Sequence, residues 1–178
     1  MISIEFTILF LAFSIPLVCT PGPGNLILAM SGAQWGVRRT IPLIVGIDIA
    51  YLVFSLMIGF GIGELFKEYP VVYLVLKNAG GAYLLYLSYK IWNLRPKSGQ
   101  NVSTAMGFKD GVILTTFNPK AHLLMILMFS QFMKPQGQMI TQVLLLTIAL
   151  ALVNIPNHFV WSYLGEWIAR RLNSNRND

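Results

Sequence analysis

The chain has 178 residues, of which 55% are hydrophobic and 11% charged, with a mean hydropathy of +0.62. Soluble domains carry about 25% charged residues, so this composition describes an integral membrane protein. The net charge of +6 does not mark a nucleic-acid partner, because the basic residues sit in short polar connections and form no patch interleaved with aromatics. One cysteine, Cys19, and two histidines exclude an intrachain disulfide and a metal cluster, and no cofactor is expected.

A membrane-spanning helix needs about 20 apolar residues, and five segments qualify. Span one covers Ile4–Met30, span two Thr40–Gly63, span three Pro70–Trp92, span four Gly107–Phe132 and span five Met139–Leu164. The N-terminus carries Glu5 where a secretory signal has basic residues, so the first apolar segment is expected to remain as a span. Gly165–Asp178 turns basic and polar, and reads as a frayed tail. Cys19 reads as a small packing residue. Trp35, Trp92 and Trp167 fall near span ends, as an aromatic belt requires.

Lysine and arginine concentrate in the first connection (Arg38, Arg39), around the third (Lys90, Arg95, Lys97, Lys109) and in the tail (Arg170, Arg171, Arg176). These regions are expected in the cytoplasm, which puts the N-terminus of a five-span protein outside and its C-terminus inside. Asn93–Ala105 is a long polar linker. It divides the chain into a three-span first half, 1–92, and a two-span second half, 106–168, within a single membrane domain. Three spans in the first half is an odd number, so a similar second half, here incomplete with two spans, is expected to be inverted relative to it, a common basis for alternating access.

Two positions show what the halves share. Thr20-Pro21-Gly22-Pro23-Gly24-Asn25 interrupts span one, and Asn118-Pro119-Lys120 interrupts span four. Each pairs an N-cap residue with a following proline, so helices are expected to restart at Pro21 and at Pro119. Opened backbone at membrane depth is tolerated only against protein or a water-filled cavity. Broken helices at corresponding positions of two halves point to a transport site.

These residues resemble a known family. Pro21-Gly22-Pro23 with Asn25, then Gly32, Gly36, Arg38 and Gly46, is similar to the N-terminal signature of the LysE/RhtB-type amino-acid exporters. Gly107-Phe108 with Gly111, Asn118-Pro119-Lys120-Ala121 and Gln131-Phe132 is similar to their second signature. The resemblance implies an all-α polytopic protein of the bacterial inner membrane that exports amino acids or related small metabolites by secondary transport, driven by protons. Family members usually continue into a sixth span, whereas only Ser174–Asp178 follow Arg170-Arg171-Leu172-Asn173 here. A truncated paralogue serving as a non-transporting membrane subunit is the alternative expectation.

Asp48 stands about 12 Å past Thr40 at 1.5 Å per residue. A charge near the bilayer centre costs about 3 kcal/mol on insertion scales. It reads as a proton-coupling or substrate-amine site, against a structural acid paired with backbone or a lysine. Lys120 could receive a substrate carboxylate, pair with Asp48, or cap local carbonyls. Asn25 and Asn118 suit both zwitterion binding and repair of the opened backbone. Asn154, Pro156, Asn157 and His158 crowd polar atoms into span five. Of these His158 is a candidate proton carrier or a hydrogen-bonded structural residue, and His122 is equally ambiguous. Pro21, Gly22, Pro23 and Gly24 complete the expected substrate site with Pro119. Gly59-x-x-x-Gly63, Gly80-Gly81 and Gly107-x-x-x-Gly111 permit close helix approach, including at a homo-oligomer interface. A membrane-embedded enzyme would need a nucleophile–base set or metal ligands, and none is evident. The expected partners are the lipid bilayer and a small amino-acid-like solute.

Overall fold

The computed structural model describes residues 3–69, 71, 105–133 and 138–174. Among them every regular element is an α-helix: α1 (Ile4–Cys19), α2 (Pro23–Trp35), α3 (Val37–Glu68), α4 (Phe108–Thr116), α5 (Pro119–Phe132) and α6 (Met139–Ser174). Two are long and apolar enough to cross a membrane alone, over Val37–Gly61 and Met139–Leu172. The pairs α1–α2 and α4–α5 reach that length together, bent by 59° and 63°. The chain is a polytopic membrane protein with broken helices at both expected places. Span three apart from Val71, the linker before Ala105, and with them Gly80-Gly81, Lys90, Trp92, Arg95 and Lys97, lie outside the described residues, as does Arg176.

Each break follows from proline's effect on the residue before it, which is driven out of the helical region. Thr20 precedes Pro21 and adopts φ −60°, ψ 136°. Gly22 precedes Pro23 and is extended at φ −157°, ψ 173°. Asn118 precedes Pro119 and sits at φ −91°, ψ 99°. The second break matches expectation, with Asn118 as N-cap and Pro119 as first helical residue. The first does not. Thr20 is the C-cap of α1 rather than an N-cap, and the restart is at Pro23 behind Gly22, because two prolines two residues apart force two extended residues. Pro16, Pro42 and Pro156 lie inside helices that continue through them.

Other boundaries also shift. A single residue, Gly36, joins α2 to α3, and its φ of 78° suits glycine. Arg38 and Arg39 therefore lie in the first turn of α3 and not ahead of it. The expected frayed tail is helical to Ser174, since Gly165 packs on the backbone of Ala29 and Glu166 pairs with Arg170 one turn on. Trp35 ends α2, and Arg171 stacks 4.7 Å over the Trp167 ring near the end of α6. Cys19 is exposed, so it is not the packing residue expected.

Contacts set the relative directions. Asp48 meets His158 and Ser55 meets Thr147, so α6 runs antiparallel to α3. Gly46 lies on Phe108 and Gly59 on Phe129, so α4–α5 runs parallel to α3. Gly32 packs on Ser162 and Asn25 bonds Asn157, so α2 runs with α6. The two bent pairs are thus antiparallel. The rings of Phe6, Phe10 and Phe13 close the arrangement against Phe132, at 5.3–5.7 Å between centroids. Gly59 and Gly111 are spent on contacts within the chain, to α5 and α6 and to α3 respectively.

Two apolar clusters result. One joins α1, α5 and α6 through Phe10, Val18, Leu124, Met128, Phe129 and Leu146. The other joins α2 and α3 through Leu28, Leu43, Ile44 and Ile47. Outward faces are also apolar, as in the Val45, Ile49, Val53, Met57 stripe of α3. Between the clusters lies a layer of buried polar residues: Asn25, Thr115, Asn118, Asn154, Asn157 and His158.

Candidate functional site

The layer is built around the opened backbone of the first break. The Asn25 amide donates to the carbonyls of Val18 at 2.8 Å and Thr20 at 3.1 Å. The Asn157 amide donates to Asn25 Oδ1 at 3.3 Å and to Val18 O at 3.4 Å. The Lys120 ammonium, from the second break, donates to the Thr20 carbonyl. Unpaired carbonyls at membrane depth are costly, and these side chains replace the lost helical partners. At the second break the Asn118 side chain accepts from the Lys120 amide at 3.1 Å. His122 Nε2 lies 2.8 Å from the Thr116 carbonyl, with its ring edge-on to Phe54 at 4.9 Å.

The breaks adjoin. A Cβ placed on Gly22 would lie 2.7 Å from Lys120 Cδ, and one on Gly24 would lie 3.3 Å from Asn118 Nδ2. Gly22, Gly24, Asn25, Asn118 and Lys120 line one cavity, with Thr115, Tyr51, Asn154 and His158 completing its polar wall. Its volume is about 20 Å³, room for a water molecule and not for an amino acid. The start of α2 has no side-chain cap, so its first backbone N–H groups remain free of side-chain partners. The start of α5 is capped by Asn118.

Asp48 is not paired with Lys120. Its Oδ1 lies 2.7 Å from His158 Nδ1, and the two side chains are 13% and 4% exposed. The Tyr51 ring tilts over His158 at 5.9 Å. His158 faces the cavity between the breaks, whereas Asp48 lines a second cavity of about 10 Å³ with Tyr51, Ser55, Thr147 and Asn154. The Ser55 and Thr147 hydroxyls share a buried hydrogen bond of 2.9 Å.

Of the residues singled out in the sequence, Gly22, Gly24, Asn25, Asn118, Lys120 and His158 come together around one cavity, and Asp48 reaches it through His158. Pro21, Pro23 and Pro119 shape the backbone without lining the cavity. Tyr51 and Thr115 were missed. Both had a legible signal, one turn from Asp48 and three residues before Asn118. No group of three or more metal-ligating side chains occurs among the described residues.

Three relatives cover most of the chain. A homoserine/homoserine lactone efflux protein of Salmonella typhimurium is 26% identical over 170 residues, 93% of this chain and 82% of that protein. A cysteine/O-acetylserine efflux protein of Klebsiella pneumoniae is 26% identical over 164 residues, 90% of this chain and 82% of that protein. An uncharacterized membrane protein of Vibrio cholerae is 25% identical over 159 residues, 86% and 78% of the two chains. No solved structure is significantly similar. The family model described as LysE type translocator matches residues 15–178. The chain belongs to the LysE type translocators, multi-pass membrane proteins that are not enzymes.

Proposed function

We propose that this chain is a proton-coupled secondary transporter that exports amino acids or related small metabolites across the bacterial inner membrane. The observation that carries the reading is the meeting of two antiparallel broken helices at one polar cavity, with Lys120 and His158 in its wall and Asp48 bonded to His158 behind it. A solute carboxylate suits the uncapped start of α2 and the Lys120 ammonium, where partial and full positive charge coincide. On its arrival Lys120 exchanges the Thr20 carbonyl for the carboxylate, and the break is left to Asn25 and Asn157. The solute amine approaches the His158 face of the cavity, and the buried Asp48–His158 pair carries the coupled proton.

The halves 1–92 and 106–168 move as inverted units about this site, with the N-terminus outside. The ends that carry Arg38-Arg39 and Arg170-Arg171 support that orientation: the Val37 amide donates to Glu166 at 2.7 Å, so they share one side. Because the cavity holds little more than a water molecule, binding requires the two breaks to separate.

The test is transport in proteoliposomes loaded with radiolabelled homoserine or cysteine under an imposed pH gradient. Gradient-dependent efflux above that of protein-free liposomes supports the reading. Efflux equal to the protein-free control for a panel of amino acids contradicts it.

A further inference from the structure

Asn154 is 3% exposed, and its Nδ2 has no hydrogen-bond partner. The Tyr51 hydroxyl is its polar neighbour, without completing a bond of good geometry to Nδ2. A buried amide donor left open is costly, so its persistence calls for an acceptor that arrives from elsewhere. Its position says from where. Asn154, like Tyr51, lines both the cavity between the breaks and the smaller second cavity, so it stands between the two.

The two cavities differ in chemistry. The first collects the helix start and Lys120, which suit a carboxylate. The second has apolar walls, with Leu52, Leu150 and Ile155 among them, a few hydroxyls, and the Asp48 carboxylate held by His158. Resting on the proposed transport reading, we propose that the second cavity takes the solute's side chain and that Asn154 Nδ2 donates to an acceptor on it. The favoured class is amino acids with a short side chain that carries a hydrogen-bond acceptor near its end. The small cavity disfavours long side chains, and the Asp48 carboxylate in its wall disfavours acidic ones. A site that hydrogen-bonds a substrate group discriminates strongly against the analogue that lacks it, because the buried donor is then left unpaired.

The experiment compares homoserine with norvaline, its near-isostere with methyl in place of hydroxyl, in proteoliposomes of the wild-type chain, Asn154→Leu and Asn154→Ala. The wild type is expected to prefer homoserine by about 10-fold or more in kcat/KM. Either variant is expected to bring that preference close to one while still carrying norvaline, which also shows that it is folded. A preference unchanged in a variant that transports overturns the proposal. So does a loss of both solutes in both variants, which makes Asn154 structural. If the wild type carries neither solute nor any other amino acid, the transport reading itself fails; if it carries norvaline as well as homoserine, only the role of Asn154 fails.

Discussion

His158 Nδ1 and Asp48 Oδ1 lie 2.7 Å apart, joining the middle of α6 to the middle of α3 between two small cavities. An acid and a histidine that share a hydrogen bond in a buried layer have the chemistry that the proposed proton coupling needs. The bond also fixes the imidazole, which lines the cavity between the breaks.

Asp48→Asn keeps the volume and a hydrogen bond to His158 but cannot cycle a charge. Efflux driven by a pH gradient is expected to fall by at least about 10-fold, while counterflow of labelled against unlabelled solute persists. The check is both assays on one proteoliposome preparation. Undiminished gradient-driven efflux at every pH would make the pair a structural bond.

Lys120→Met removes the ammonium that caps Thr20 and is assigned to the solute carboxylate. A hydrogen bond to a charged group contributes about 1.5–3 kcal/mol, so KM for a carboxylate-bearing solute is expected to rise by about 10-fold or more. KM for its carboxamide analogue is expected to change little. Equal changes for both would leave Lys120 a cap of the first break and no more.

Gly165→Val would drive a side chain into the Ala29 backbone, at one of the two tightest glycine contacts of α2 with α6. Forced overpacking costs about 1–3 kcal/mol, so a clear drop in Tm of the detergent-extracted protein is expected. Gly61→Ala meets nothing within 4 Å and replaces a mid-helix glycine, so stability should hold or rise by up to about 1 kcal/mol. A Tm for Gly165→Val equal to wild type would contradict the packing described.

Much of this was legible before any coordinates. Apolar length marked the spans, and the pre-proline positions marked both breaks, because those signals are local to the chain. The restart at Pro23 was not read, since one N-cap pattern at Thr20-Pro21 masked the stronger constraint of a second proline two residues on. The partner of Asp48 was not legible either. His158 is 110 residues away, and only the antiparallel packing of α3 with α6 selects it over Lys120. The helical tail escaped notice because its support, Gly165 on Ala29, is tertiary and invisible to composition. Asn25 shows the converse: an amide beside opened backbone could be assigned to repairing it on chemistry alone.

The central claim is that the two breaks enclose one solute site and must part to admit the solute. Its most direct test is a thiol pair, Gly24→Cys with Asn118→Cys in a Cys19→Ser background, bridged by a short bifunctional thiol reagent with a reducible spacer. A Cβ on Gly24 would lie 3.3 Å from the present Asn118 Nδ2, so the bridge should form readily. The account predicts that bridging stops efflux, that reduction restores it, and that excess solute slows the bridging. Bridged protein that transports at the rate of the unbridged double variant would contradict it.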